Sequence, residues 1–323
     1  MSMTRRDALA LLSGAVAALA SGITRAADYP TKPIRLVVPF PAGGASDVIA
    51  RLTAAELQAL RKQSVVVDNK PGANGIIGVE NFLQAPADGY TLLAAGGSAW
   101  TPAQVKDLKF NVLRDCDPIA LVCQTPLALI VPPQLGINTA QEFFAYARKN
   151  PGKLNYASVG NGSSSHLNAE LLKSMAGIEA VHVPFNGSPP AVLSTVQGET
   201  QMIFAVMQPL QAQIQAGKLR AIAVTTPKRF PLLPDLPAVA ETYPGFEALA
   251  WNGLVVPAAT PAAVVQKINA EVGAILKQPE IVQKMNGFGF DLVGGTPADF
   301  AALIASEAAR WTPVVKALGI KVD

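Results

Sequence analysis

From Tyr29 onward the chain alternates two hydrophobic patterns. Short runs rich in Val, Ile and Leu predict strands, and stretches whose apolar positions recur three and four residues apart predict helices. Such alternation predicts a mostly parallel sheet with helices on its faces. Ile34 to Val38 is the first strand, and Pro39 to Ala45 is a Pro/Gly loop. The next helix has Ser46 as its N-cap. Its apolar stripe is Ile49, Leu52, Leu57 and Leu60, with the Thr53 methyl on the same face. A strand at Val65 to Val67, a loop over Pro71 to Gly75, a helix over Ile77 to Leu83 and a strand at Tyr90 to Ala94 follow.

The pattern then restarts. Leu127 to Val131 is a strand, and Thr139 with Glu142 forms a capping box for a helix carrying Phe143, Phe144 and Ala147. Asn150-Pro151-Gly152 stops that helix. A strand at Leu154 to Ser158 runs into a Gly/Ser/Asn loop over 159–163. The helix after it carries Leu167, Leu171 and Met175 and is closed by Gly177. Strands at Ala180 to Phe185, Met202 to Val206 and Leu219 to Val224 are separated by a helix near Ala191 and another ending at Gly217. Pro227 to Pro244 has little regular signal. Trp251 to Val256 is a strand, and amphipathic helices follow over Pro261 to Leu276 and Pro297 to Leu318. These are two α/β units and a helical tail, with no low-complexity linker between them. The chain should therefore pass between units by short ordered crossings, for which Leu121 to Val131 and Leu219 to Val224 are the candidates.

Residues 1–26 are expected to be an export signal rather than structure. Arg5 and Arg6 supply the positive region, and Ala8 to Ile23 is apolar but too short and too rich in Ala and Gly to span a membrane. Thr24-Arg25-Ala26 offers the small residues of a cleavage site after Ala26. The arginine pair leaves both the twin-arginine and the general secretory route open. No Cys follows for a lipid anchor, and no later segment approaches the roughly 20 apolar residues of a membrane span. Removing Arg5, Arg6, Arg25 and Asp7 with the signal takes the net charge from +3 to +1. A near-neutral chain gives no electrostatic grounds for binding nucleic acid or a membrane. Cys116 and Cys123 would sit in an exported, oxidising compartment. Seven extended residues span roughly 23 Å, against the roughly 4.4–6.8 Å of a bridge. A disulfide would need a turn at Asp117-Pro118; buried free thiols are the alternative.

The two units share a local design of strand, small-residue loop and helix. The first loop is Pro39-Phe40-Pro41-Ala42-Gly43-Gly44-Ala45-Ser46-Asp47, and the second is Ser158-Val159-Gly160-Asn161-Gly162-Ser163-Ser164-Ser165. In open α/β sheets ligands bind beyond the carboxyl ends of strands. Both loops lie there, and each presents a helix N-terminus whose unpaired amides and positive dipole end suit an anion without any cationic side chain. Each loop alone is also what an ordinary βα turn looks like; their pairing in an exported two-unit chain favours binding. Ser98, after Gly96-Gly97, and the turn Phe185-Asn186-Gly187-Ser188 are further cleft candidates. Asp47 is either a partner for a ligand ammonium or a complement to the helix dipole, and Trp251 is either a cleft wall or core packing. Of the two histidines, His182 lies in an apolar strand and reads as structural, and His166 as helical surface or a cap. There is no HExxH, CxxC or clustered metal-ligand set and no GxSxG elbow, so neither a metal nor a cofactor is expected.

Taken in order, a set of fragments is more specific than any one of them. They are Tyr29-Pro30-x-Lys32-Pro33-Ile34, Pro39-Phe40-Pro41-Ala42-Gly43-Gly44, Asp68-Asn69-Lys70-Pro71-Gly72-Ala73 and Asp88-Gly89-Tyr90-Thr91-Leu92. Asn150-Pro151-Gly152-Lys153-Leu154, Tyr156-Ala157-Ser158, His182-Val183-Pro184-Phe185, Gly217-Lys218-Leu219-Arg220-Ala221 and Gly294-Gly295-Thr296-Pro297 continue it. On these the chain, over essentially its whole length past the signal, resembles the Bug family of periplasmic receptors. These are the TctC-like solute-binding components of tripartite tricarboxylate transporters. The resemblance implies a two-lobed type II periplasmic-binding-protein (Venus flytrap) fold, each lobe a mixed sheet flanked by helices. It would divide the chain into a signal peptide over 1–26, lobe 1 over 27–125, lobe 2 over 126–222 and a completion of lobe 1 with C-terminal helices over 223–323. It further implies a carboxylate held through backbone groups and two bridging waters near the first loop. Phe40, Ala42, Gly43, Ser46, Asp47 and Ser98 would form one wall, and Ser158, Gly162, Ser163, Phe185 and Asn186 the other. Two departures from the family pattern stand out. Ser194 occupies a position where an acid is frequent, and Phe185-Asn186-Gly187 replaces the usual Tyr-Lys-Gly.

The function expected is that of a periplasmic receptor, not an enzyme. A monomer would capture a small carboxylate-bearing metabolite between two lobes and deliver it to membrane permease subunits. A ligand sensor for a two-component kinase stays open beside it, and an exported α/β hydrolase more remotely. The cleft loops hold no Arg or Lys, so backbone donors must bear the anion, which favours one carboxylate over three. Whether the ligand is a dicarboxylate, an amino acid, an aromatic acid or another compound is left open by the sequence.

Overall fold

A computed structural model describes residues 29–96, 110–207 and 210–317. The expected signal segment and Ser98 lie outside the described residues. The first lobe begins with β1 (Ile34–Val38), α1 (Ala45–Arg61), β2 (Val65–Asn69), α2 (Ile76–Leu83), β3 (Thr91–Gly96) and β4 (Cys116–Pro126). The second lobe holds β5 (Ala128–Val131), α3 (Ala140–Lys149), β6 (Leu154–Ser158), α4 (Ser164–Ala176), β7 (Ala180–Pro184), α5 (Ser188–Gln197), β8 (Met202–Ala205) and β9 (Arg220–Val224). The chain then returns through β10 (Leu249–Pro257), α6 (Ala262–Ile275), α7 (Pro279–Gly287), β11 (Asp291–Gly294) and α8 (Pro297–Ala317).

Two mixed sheets result, as the alternation of patterns and the family resemblance imply. The first has the order β11-β4-β10-β3-β1-β2, with β1 parallel to β2 and β3, and β10 antiparallel to β3 and β4. The second has the order β7-β6-β8-β5-β9, with β6 parallel to β7 and β8. Side chains alternate across each strand, so both faces of each sheet can be buried. Leu36 and Val38 enter one core with α1 and α6 residues such as Leu57 and Ile268, whereas Val37 enters another with Phe82 of α2 and Phe300 of α8. Leu129 and Val131 likewise join Phe143, Phe144 and Leu172, while Ala128 and Ile130 join Ala191 and Val192 of α5.

Local sequence explains most boundaries. Thr139 and Glu142 form the expected capping box on α3, and Gly177 ends α4 in the left-handed conformation. Elsewhere the structure departs from the pattern. The α1 N-cap is Gly44, two residues earlier than expected, and the Ser46 hydroxyl donates instead to Asn252 Oδ1 at 2.9 Å. Leu60 is 51% exposed, because the last turn of α1 buries Arg61, which pairs with Glu271 of α6. Cys116 and Cys123 are free, buried and on the same strand; β4 runs straight through Asp117-Pro118 without the turn a bridge would need. Burial pushes the Cys116 thiol up to about 12, with Asp115 and Asp117 adding to the shift. Burial also raises Cys123. The helix α7 and the edge strand β11 were not anticipated from the pattern.

The lobes meet where the chain crosses twice. Only Leu127 separates β4 from β5, and the return runs from β9 to β10 through 225–248. Thr225 ties the two crossings. Its hydroxyl accepts from the Leu127 amide at 2.9 Å, its own amide donates to Leu127 O at 2.9 Å, and its carbonyl accepts from the Ala248 amide at 3.0 Å. Helix α8 spans the same junction: Phe300 and Ile304 pack with Trp251 on the first sheet, and Trp311 and Val315 pack with Leu167 of α4 and with Ala248. Thr225→Val keeps the shape but strands the buried Leu127 amide. It should cost about 1–3 kcal/mol, read as a lower urea midpoint. Thr225→Ser should retain most of the stability, and a Val variant as stable as the parent would show that the crossing is held by other contacts.

Candidate functional site

The loops after β1, β6 and β7 all open onto the gap between the lobes. Phe40, Pro41, Gly44, Ala45, Ser46 and Gly96 face it from the first lobe; Val159, Ser164, Ser165, Gly187 and Ser188 face it from the second. Leu127, Phe204, Ala205, Val206 and the β10 residues Ala250, Trp251 and Asn252 complete the lining of a cavity of about 110 Å³. A wider outer opening of about 520 Å³ shares Phe40, Pro41, Val159 and Gly187 and adds Phe185, Asn186 and the Pro71–Ala73 turn. Three helices, α1, α4 and α5, therefore start at one cavity, two from one lobe and one from the other. At α1 and α4 the first N–H groups have no intrahelical acceptor, and their dipoles favour negative charge there; α5 opens Ser188-Pro189-Pro190, so its second and third residues bring no N–H.

Each loop is braced from behind. Asp47 is buried. Its Oδ2 accepts from the Gly43 amide at 3.0 Å and Arg51 Nε at 2.9 Å, and its Oδ1 from Asn69 Nδ2 at 2.9 Å. Burial works against its charge, but the hydrogen bonds from Arg51, Gly43 and Asn69 outweigh it and hold the carboxyl below its usual range. Asn69 also donates to Phe40 O at 3.0 Å. Asp47 thus shapes the first loop and has its two oxygens engaged there. In the second loop Ser163 caps α4 and donates to Gly160 O at 2.6 Å, Ser165 Oγ accepts from the Val159 amide, and His166 Nδ1 accepts from the Gly162 amide at 2.9 Å. These bonds engage the amides inside the loop and leave those at the first turn of α4 facing the cavity.

Beneath that loop lies a stack of three rings. Tyr156 and His182 are 4.8 Å apart and His182 and His166 3.9 Å, nearly parallel. His182 Nε2 is 2.6 Å from Ser158 Oγ, and Tyr156 donates to Glu170 Oε1 at 2.6 Å, which Lys173 also contacts. His166 is buried, not on the helix surface, because the Gly162 amide and the His182 face draw its ring inward. Burial lowers both imidazoles to about 4, and for His182 the neighbouring His166 adds to it. Both are therefore neutral at pH 7, and His166, accepting at Nδ1, carries its proton on Nε2.

The residues singled out from the sequence fall into distinct places. Phe40 and Ser46 line the cavity, and Phe185 and Asn186 line the outer opening. Ala42 and Gly43 are exposed in the first loop, whereas Ser158, Gly162 and Ser163 are buried within the second. Trp251 both lines the cavity and packs edge-on against Phe300 at 5.4 Å between ring centres. Sequence reasoning missed Asn252, which stands opposite Gly96 on β3 and holds Ser46. Its signal was a lone polar residue inside the apolar run of β10. It also missed the apolar lining, Leu127, Phe204 and Val206. The lobes touch across the gap, for a Cβ on Gly187, whose φ is +103°, would lie 2.8 Å from Pro41 Cγ.

Two lobes closing on a cavity lined by helix starts, with no histidine or acid among its described lining residues, define a solute-binding receptor. The chain belongs to the family described as tripartite tricarboxylate transporter family receptor, whose profile matches residues 49–320. It is 33% identical to BugT of Bordetella pertussis over 326 residues, covering both chains in full. Among solved structures it is similar to Rpa4515 of R. palustris with adipate (34% identical, TM-score 0.87, covering 91% of this chain and 99% of that one). It is also similar to MatC of Rhodopseudomonas palustris with bound malate (30% identical, TM-score 0.82, covering 89% and 100%). The family is one of periplasmic binding receptors and not of enzymes. Among the described residues no helix is long and apolar enough to cross a membrane.

Two measurements test this arrangement. Gly187→Ala puts a methyl against Pro41 and strains a positive φ. It should weaken ligand binding by roughly tenfold or more, about 1.4 kcal/mol, and unchanged affinity would show that closure does not use this contact. The histidines set a pH dependence. Each titrates near ~6.5 unfolded and near about 4 folded, so between those values the unfolded chain holds more protons and stability falls as pH falls. Thermal midpoints should decline from about pH 6.5 to about pH 5, and His182→Gln should flatten the decline; an equal slope in the variant would refute the assignment.

Proposed function

We propose that this receptor captures a small carboxylate-bearing metabolite between its lobes and delivers it to the membrane permease subunits of a tripartite tricarboxylate-type transporter. The observation that carries this is the convergence of α1, α4 and α5, from both lobes, on one cavity with no cationic residue among its described lining, where α1 and α4 bring free first-turn amides. Amides at helix starts stabilise an anion by fixed dipoles, and they do so more strongly once closure excludes water. The relatives solved with adipate and with malate support a carboxylate as the ligand. In this reading residues 1–26 are an export signal removed near Ala26. Lobe 1 comprises the chain from residue 27 through β4 and from β10 onward; lobe 2 runs from β5 to β9 and keeps the segment after β9. Phe230 and Ala238 pack on Val224, and Val239 and Phe246 join the core of lobe 2, which moves the expected boundary at residue 223 to the start of β10. The protein acts as a monomer. Phe40 and Ser46 meet the ligand from lobe 1, the Ser163-capped start of α4 meets it from lobe 2, and Phe185 and Asn186 guard the opening.

Binding without turnover should appear as a ligand-dependent rise in thermal midpoint. Ligand at 100-fold over Kd stabilises by about 2.7 kcal/mol. A screen of mono-, di- and tricarboxylates in which none raises the midpoint, or in which a bound acid is chemically converted, would defeat the proposal.

A further inference from the structure

The cavity is lined by two unlike sets of residues. One is polar: the first turns of α1 and α4, with the Ser46–Asn252 pair and the hydroxyls of Ser164, Ser165 and Ser188. The other is apolar: Leu127, Val159, Phe204, Val206 and the Trp251 ring. No Asp, Glu, Lys, Arg or His is among the described lining residues of the cavity or of its outer opening. Building on the carboxylate reading above, we propose that the receptor selects a singly charged carboxylate attached to a compact apolar body, such as one ring or a short branched chain.

The chemistry follows from what each set can satisfy. One carboxylate beside the polar set meets the first amides of α1 and α4, which have no acceptor within their helices. A second carboxylate, buried with the first, would press on Phe204, Leu127 and Val206, which offer no donor, and burying an ionised group without partners is strongly disfavoured. Turning it outward gives little relief. The described residues lining the opening include no cation, and their one side-chain donor is the amide of Asn186. Size limits the body: the cavity of about 110 Å³ is smaller than the roughly 150 Å³ apolar cavity that accepts benzene, so a ring acid must reach into the outer opening.

Isothermal titration of the protein, stripped of co-purified ligand by unfolding and refolding, tests this with benzoate and cyclohexanecarboxylate against adipate and malate. The ring monoacids should bind on the order of a hundredfold more tightly than the diacids, with a negative heat-capacity change from apolar burial. Val206→Lys, at a half-buried position in the apolar wall, should reverse the order toward the diacids while circular dichroism reports an unchanged fold. Diacids binding as tightly as the ring acids, in protein with Val206 intact, would overturn this inference and leave the carboxylate receptor standing. Binding of neither class would remove the carboxylate reading itself.

Discussion

Everything the cleft does depends on how two separately cored lobes are held at one angle, and Thr225 is where that is set. Its hydroxyl, amide and carbonyl bind Leu127 and Ala248, so the two chain crossings lie side by side as a single short junction. The residue is fully buried, so these bonds are shielded from competing water. Helix α8 adds a second tie: its first half belongs to the core of the first sheet and its second half packs on α4 of the other lobe. Since α4 begins at the cavity, motion of the lobes and placement of the anion-facing amides are mechanically linked.

The anion site has a different logic from a cationic one. A lysine or arginine in the cleft would attract acids at long range but would itself need desolvation on closure. Helix starts carry no net charge and are already oriented, so little conformational freedom is lost when ligand arrives. The bracing behind them serves that orientation. Asp47 and Asn69 fix the first loop, and Ser163, Ser165 and the stacked His166 and His182 fix the second. Keeping those imidazoles neutral matters, because a charge there would alter the field at the start of α4.

Much of this was legible in the sequence where local chemistry is decisive. The β1–α1 and β6–α4 units, the capping box of α3 and the glycine stop of α4 are all written in consecutive residues. What was hidden depended on distant partners. The first half of β4 does not read as a strand because Asp117-Pro118 interrupts it. It pairs with β10 through two register shifts, a geometry set by the partner strand. Helix α7 buries only Ile281 and Met285, and β11 is a four-residue edge strand with half its positions exposed, so neither carries a strong period. The binding loops were visible as small-residue turns, yet which residues face the ligand was not. Ser158, Gly162 and Ser163 look like ligands in sequence but are buried supports. Leu127, Phe204 and Val206 look like core but line the cavity.

That exchange of roles bears on how closure and selectivity are joined. Ser158, Gly162 and Ser163 are engaged in shaping the second loop, so on the proposed reading the donors to an acid are mainly the first amides of α1 and α4, common to any acid. Discrimination must then come from the rest of the cavity, which is apolar, and apolar surface discriminates only when water is excluded. Exclusion depends on the close approach of Pro41 to Gly187 across the mouth, and on a body that fills the space behind it. A ligand too polar for the wall would retain water and hold the lobes apart. One of matching size would expel it and let the proline seat.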